Sequence, residues 1–234
     1  MKVEIWSDVM CPFCYIGKRK FENALKQFAN KDEIEIQWRS FQLAPDMETD
    51  TSKNVYDYLA DKKGWTIDYS KKVHHQLENT AKEVGLHYDF DKAVPANSFK
   101  AHRFSHLAAK HNLQDAAEER LFAAYFTEGK NIDDTATLVE LGKDLGLNPE
   151  EVVTVLESEA YSNEVNQDIY RAEQVGVRGV PFFVFDNKYA VSGAQPSEVF
   201  LSALQKSYQE FEQENNTASI KDSDGATCSV DGDC

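Results

Sequence analysis

The chain has 234 residues, 40 Asp plus Glu against 25 Lys plus Arg, a net charge of −15, 41% hydrophobic residues and four cysteines. A chain of that length buries a core without disulfide or metal staples, and without a Lys/Arg cluster it lacks the footprint that nucleic-acid binding needs, so neither DNA nor RNA is an expected partner. No stretch approaches the roughly 20 apolar residues of a membrane span, and the N-terminus lacks the basic region and apolar run of a signal peptide. The expectation is a cytoplasmic protein with no membrane partner.

The elements follow in order. Lys2 to Trp6 alternates, with Val3 and Ile5 on one face, and predicts a short strand. After a turn over Ser7 to Met10, Phe21, Ala24, Leu25 and Phe28 predict a helix over Pro12 to Asn30, with Pro12 suited to its first position. Ile34, Ile36 and Trp38 form a second strand, so the chain opens β-α-β. From about Pro45 to Tyr161 the pattern is helical throughout: Val73, Leu77, Ala81 and Val84 make one stripe, and Phe99, His102, Phe104, Leu107 and Ala108 another. Asn97 and Asp133 or Asp134 stand where helices begin, and Gly85, Gly129 and Gly146 where they end. Strand character returns at Val180 to Asp186 and Tyr189 to Val191, joined by a turn through Asn187 and Lys188. A final helix is expected over Pro196 to Glu210. Two β-containing ends flanking a helical block must meet to complete one sheet. The expected organisation is therefore an α/β domain formed by residues 1–44 and 163–210, a helical insertion over 45–162, and a mobile acidic tail over 211–234.

The cysteines sit at the two ends, Cys11 and Cys14 near the N-terminus and Cys228 and Cys234 near the C-terminus, which is not the pattern of a secreted disulfide framework. Cys11-Pro12-Phe13-Cys14 follows a strand and opens a helix. Free backbone N–H groups and the helix dipole favour a thiolate there, and such placement lowers a cysteine pKa from about 8.5 to between about 3.5 and 7.5. Cys11 is then the nucleophile and Cys14, on the same face, the resolving thiol. Half a zinc site is the poorer reading, because the other two cysteines lie in the tail and a tetrahedral site needs two more ligands. Two inert core thiols fit poorly as well, since the strand-to-helix junction places Cys11 at an exposed helix start.

The run Ser7-Asp8-Val9-Met10-Cys11-Pro12-Phe13-Cys14-Tyr15-Ile16-Gly17 resembles the active site of DsbA-family thioredoxin-fold oxidoreductases, in particular their FrnE-like cytoplasmic branch. Phe41-Gln42-Leu43-Ala44-Pro45, Asn97 to Arg103, Gly176 to Pro181 and Ser192 to Pro196 resemble further segments of that family in the same order. The resemblance implies a thioredoxin fold with a large inserted α-helical subdomain, and a cis peptide before Pro181. Proline is nearly alone in tolerating that isomer, and the bend turns the Val180 N–H and C=O toward the cysteines, where an extended substrate can pair as an added strand. Pro12, Phe13 and Val180 are expected to contact substrate.

Glu4 on the first strand and Asp8 in the loop are candidate acids for passing a proton to or from Cys14, against the plainer reading of solvated or salt-bridged carboxylates. His102 and Arg103 are candidates for lining the groove, although His102 lies on an apolar stripe where a hydrogen-bonded core histidine is the plainer reading.

The expected activity is thiol–disulfide exchange on protein or small-molecule disulfides, with no cofactor and no metal. In a reducing compartment reduction or isomerisation is the better default than net oxidation, with glutathione or a thioredoxin-type reductant as candidate partner. Two relatives sharing the fold, the kappa-class glutathione transferases and 2-hydroxychromene-2-carboxylate isomerases, generally carry serine where Cys11 stands, which weakens a transferase reading. A non-catalytic, chaperone-like binding role is the third class. Cys228 and Cys234, in a C-x5-C arrangement, form a candidate auxiliary redox pair. The surrounding Asp222, Asp224, Asp231 and Asp233 lack the order and closing Glu of a calcium loop.

Overall fold

A computed structural model describes residues 1–222, with side chains through residue 215; Cys228 and Cys234 lie outside the described residues. β1 (Lys2–Ser7) pairs in parallel with β2 (Glu35–Ser40), Val3 opposite Ile36 and Ile5 opposite Trp38. On its other side β1 pairs antiparallel with β3 (Phe182–Phe185), and β3 with β4 (Tyr189–Ser192), giving the order β2-β1-β3-β4. The two central strands thus come from opposite ends of the chain. This is the expected thioredoxin-type α/β architecture with helices inserted between its halves.

Side-chain alternation along β1 divides the packing. Val3 and Ile5 join the core on the face covered by α1 (Pro12–Gln27) and α9 (Ser197–Asp222), where Phe21 meets Phe183 at 5.5 Å between ring centroids and Phe183 meets Phe200 at 4.6 Å. Each of these fully buried aromatic or branched side chains contributes about 1.5–3 kcal/mol. Trp6 faces the other way and packs with Val184, Val177 and Ala172, the last on α8 (Ser162–Val175).

Between the halves run α2 (Val55–Lys63), α3 (Ile67–Lys82), α4 (Phe99–Lys110), α5 (Gln114–Phe126), α6 (Thr135–Asp144) and α7 (Pro149–Glu157). Asp134 caps α6 by accepting from Thr137 N, and Gly85, Gly129 and Gly146 all take the positive φ that ends a helix. Asn97 does not cap α4 at the Ncap position, which is Ser98; its side chain accepts from Phe99 N and donates to the carbonyls of Pro45 and Met47, tying α4 to the β2–α2 connection. The first residue of α5 also closes a sheet edge. The Gln114 side chain accepts from Trp38 N and donates to Trp38 O, both at 3.1 Å, so one amide stands in for a strand neighbour on β2.

Three boundaries differ from expectation. α1 stops at Gln27 rather than Asn30, as Phe28 turns extended to pack on Tyr208. The β3–β4 turn is centred on Asp186 and Asn187, both at positive φ (50° and 56°), with Lys188 N donating to Phe185 O; the hairpin twist needs left-handed residues at both centres, and the shift by one residue places Asp and Asn there. The last helix runs past Glu210 to Asp222, so the stretch expected to be mobile from Phe211 begins as helix. Phe211 packs against Tyr208 and Glu214 pairs with Lys188 at 2.7 Å, contacts that extend it.

Candidate active site

Cys11 is the N-cap of α1, in extended conformation (φ −88°, ψ 111°), with Pro12 as first helical residue. The backbone builds the turn before it: Cys11 N donates to Asp8 O and Cys14 N to Cys11 O, each at 2.9 Å. Phe13 between the thiols is 46% exposed, while Pro12 is half-buried. Cys11 itself is only 4% exposed, which corrects the expectation of an exposed helix start. The Val180–Pro181 segment covers it.

That segment approaches from β3. The Val180–Pro181 peptide is cis, and the Cys11 thiol donates to Val180 O at 3.5 Å. Gly193 N donates to Pro181 O at 2.8 Å, holding the segment to the loop after β4. Val180 N–H has no hydrogen-bond partner among the described residues. On the helix side the approach depends on Gly17, where an added Cβ would lie 2.9 Å from Pro181 Cγ. Alanine in a helix interior ordinarily gains about 1 kcal/mol over glycine, but forcing a methyl into a packed contact costs about 1–3 kcal/mol. We expect Gly17→Ala to lower stability by about 1 kcal/mol in urea unfolding rather than raise it, and to slow thiol exchange by displacing Pro181.

Cys14 is fully buried. Burial pushes its thiol well above the usual cysteine range, the Cys11 sulfur adds to the shift through a hydrogen bond and its charge, and the Ser7 hydroxyl and Asp8 backbone act weakly in the opposite direction. Cys14 therefore rests as a protonated thiol.

Asp8 and His102 meet beneath this loop. Asp8 is fully buried, and its carboxylate accepts from Leu43 N at 2.7 Å and Met10 N at 3.3 Å. It thereby pins the cysteine loop to the segment after β2; its carboxylate makes no hydrogen bond to either thiol among the described residues. His102 Nε2 lies 3.0 Å from Phe41 O and 3.7 Å from Asp8 Oδ1, with the ring 2% exposed. It is a buried hydrogen-bonded histidine and does not line an open groove, which corrects that expectation. Burial opposes its charge, yet the Asp8 hydrogen bond and charge, Glu118 and the Phe41 carbonyl together raise its pKa above the ordinary value of 6.5. A raised histidine contributes stability that is complete below about 6.5 and is lost as pH rises through the folded value. Urea unfolding of wild type should show this loss on the alkaline side of 6.5 and His102→Gln should lack it; equal pH slopes would contradict the assignment.

Two other expected residues lie elsewhere. Arg103 donates to Ala160 O at 2.8 Å and to the Val155 and Ser158 carbonyls, so it caps the C-terminal end of α7, and these hydrogen bonds do not reach the cysteine loop. Its position one residue after His102 turns it by about a hundred degrees around α4, toward α7. Glu4 is on the sheet face that Trp6 occupies, across the sheet from Cys14, and its oxygens are held by Arg39 at 2.6 Å and Arg171 at 2.7 Å. Among the described residues it makes no hydrogen bond to Cys14, and its pairing is that of the salt-bridged carboxylate of the plainer reading.

One contributor escapes the sequence altogether. Tyr88, from the α3–α4 connection, donates to Pro12 O at 2.8 Å between the two cysteines. Beside the cysteine loop, a groove of about 210 Å³ is lined by Met10, Leu43, Met47, Leu59, Lys62 and Tyr125. Among the described residues no cluster of three His, Cys, Asp or Glu could hold a metal ion, and no helix is long and apolar enough to cross a membrane.

With this geometry in place, comparison with known families gives a match to the DSBA-like thioredoxin domain over residues 2–205. The chain belongs to that family. Among solved structures it is similar to the probable DsbA oxidoreductase SCO1869 of Streptomyces coelicolor, 38% identical with a TM-score of 0.84, over 90% of this chain and 91% of that one. The Bacillus subtilis protein YwbO is 28% identical over 210 residues, 86% of this chain and 94% of YwbO. The fold is also that of the cytosolic disulfide reductase DsbM of Pseudomonas aeruginosa, 18% identical with a TM-score of 0.63, over 89% of this chain and 99% of DsbM, which has been solved with GSH as well.

Proposed function

We propose that this DsbA-family oxidoreductase is a dithiol disulfide reductase or isomerase acting through Cys11 and Cys14. The observation that carries the reading is the Cys11 thiol at 3.5 Å from Val180 O, at a helix start and opposite a cis-proline. The Cys11 thiolate attacks one sulfur of a substrate disulfide; the substrate S–S bond breaks, and the departing sulfur leaves as a thiolate that takes a proton. Cys14 then loses its proton and attacks the Cys11 sulfur of the mixed disulfide, releasing the second substrate thiol and forming the Cys11–Cys14 disulfide. Two electrons have passed to the substrate. A thiol reductant, glutathione or a thioredoxin-type protein, returns them by the same exchange in reverse.

During the mixed disulfide stage an extended client pairs its backbone with Val180 and rests on Pro181, Pro12 and the exposed Phe13 ring. The apolar groove behind Met10 takes a neighbouring side chain. For the reductive direction and a cytoplasmic setting the supporting example is DsbM, a cytosolic disulfide reductase of the same fold.

The test is a trap. Cys14→Ala should accumulate mixed disulfides with proteins through Cys11, visible as bands that collapse on reduction. Glutathione adducts alone would move the reading to a kappa-type glutathione-dependent enzyme, and no adduct would leave a binding role.

A further inference from the structure

Pro12 and Phe13 share one peptide unit, and its two polar ends have different fates. The Pro12 carbonyl accepts the Tyr88 hydroxyl at 2.8 Å. The Phe13 N–H makes no hydrogen bond to the described residues, and it belongs to the first turn of α1, next to the N-cap residue Cys11. It is one of the orphan donors of a helix start, which point back toward the N-cap. In the thiol form Cys11 turns its proton to Val180 O instead. Once Cys11 is a thiolate it needs a donor, and the Phe13 N–H is free to be one.

We propose that Tyr88 is a positioning residue for the Cys11 nucleophile, polarising the Pro12–Phe13 peptide so that its free N–H binds the thiolate more strongly. A hydrogen bond accepted at a carbonyl draws electron density from the amide nitrogen, and successive bonds through one peptide strengthen each other by about 10–30%. Tyr88 is well held for this task. It is 7% exposed, its ring stacks on Phe126 at 4.6 Å between centroids and on Tyr15 at 6.1 Å, and burial is the main reason its phenol titrates far above the usual range, so it stays a donor. The helical insertion thereby reaches the redox dipeptide through a single hydrogen bond. The inference rests on Cys11 being the nucleophile of the proposed reaction.

Tyr88→Phe keeps the stacked ring and deletes only the hydroxyl. Tyr56→Phe is the matched control: Tyr56 is also buried in the insertion and also loses one hydrogen bond, to Asp91 at 2.9 Å, but does not touch the cysteine loop. Alkylation of Cys11 by iodoacetamide, at a pH where the thiolate is a minor fraction, should be about threefold slower in Tyr88→Phe. At a pH where the thiolate dominates, the Cys11–Cys14 potential should become more negative by about 15 mV, the same threefold at about 30 mV per decade. Tyr56→Phe should match wild type in both. Equal values in all three proteins, or an equal shift in Tyr56→Phe, would overturn the role of Tyr88. Alkylation reads the thiolate even without turnover, so failure to form a Cys11–Cys14 disulfide in any of the three would instead count against the proposed reaction.

Discussion

Cys11→Ser should lower reductase activity on a protein disulfide such as insulin by about a thousandfold or more, to the level of buffer thiols. The serine hydroxyl is close in size to the thiol but does not ionise near neutral pH, so the first attack on the substrate disulfide is lost while the helix start is kept. The fold should survive, because Cys11 contributes one 3.5 Å hydrogen bond to Val180 O and a small packed side chain. A variant with intact unfolding behaviour and no activity separates chemistry from structure. Retained activity would mean that another thiol carries the exchange.

The second large effect concerns stability, on the opposite face of the sheet. Arg39 reaches Glu4 at 2.6 Å and Asp168 at 2.8 Å, and both acids have side chains only 3% exposed. Asp168 also accepts from Ser40 N at 3.0 Å and meets His106 at 3.1 Å, while its carbonyl accepts from the Trp6 indole. The desolvation that would hold the Asp168 carboxyl neutral is outweighed by His106, Ser40 and Arg39, and its pKa lies below the usual carboxylate range. Arg39→Met removes the shared cation and leaves two buried carboxylates short of a partner, a change that costs about 3–5 kcal/mol. The midpoint of urea unfolding should fall accordingly, and more so at neutral pH than in acid, where the Asp168 carboxyl protonates and the stability its lowered pKa contributes is lost in wild type as well. A loss below about 1 kcal/mol, the range of an exposed pair, would show that the network is not sealed from water.

The same network marks a limit of sequence reading. Alternation along β1 shows the strand and its buried face, but nothing local to Glu4 shows the arginines that hold it on the other face of the sheet. Arg39 is its neighbour through parallel pairing and Arg171 through a helix far along the chain. Long-range pairing decided the matter. The helical block and its glycine stops were legible because period and cap chemistry are local. Pro181 and the cysteine pair were legible through the family resemblance and their own chemistry.

His102 and Arg103 show the opposite case, adjacent residues with separate destinations, one under the cysteine loop and one at the end of α7. Helical geometry turns successive side chains by about a hundred degrees, so a shared motif did not imply a shared site. Tyr88 was silent for another reason. Its hydroxyl acts on a backbone carbonyl 76 positions away, and a carbonyl carries no side-chain identity for a motif to register.

The proposed chemistry requires Cys11 and Cys14 to alternate between dithiol and disulfide. Equilibrating the protein in glutathione buffers of stepped ratio, quenching with acid and mapping the linkages by peptide mass reads that alternation directly. We expect a Cys11–Cys14 disulfide that forms and disappears reversibly along a single two-electron curve. Cys11 and Cys14 remaining unlinked at every ratio, or Cys11 carrying only glutathione, would contradict it.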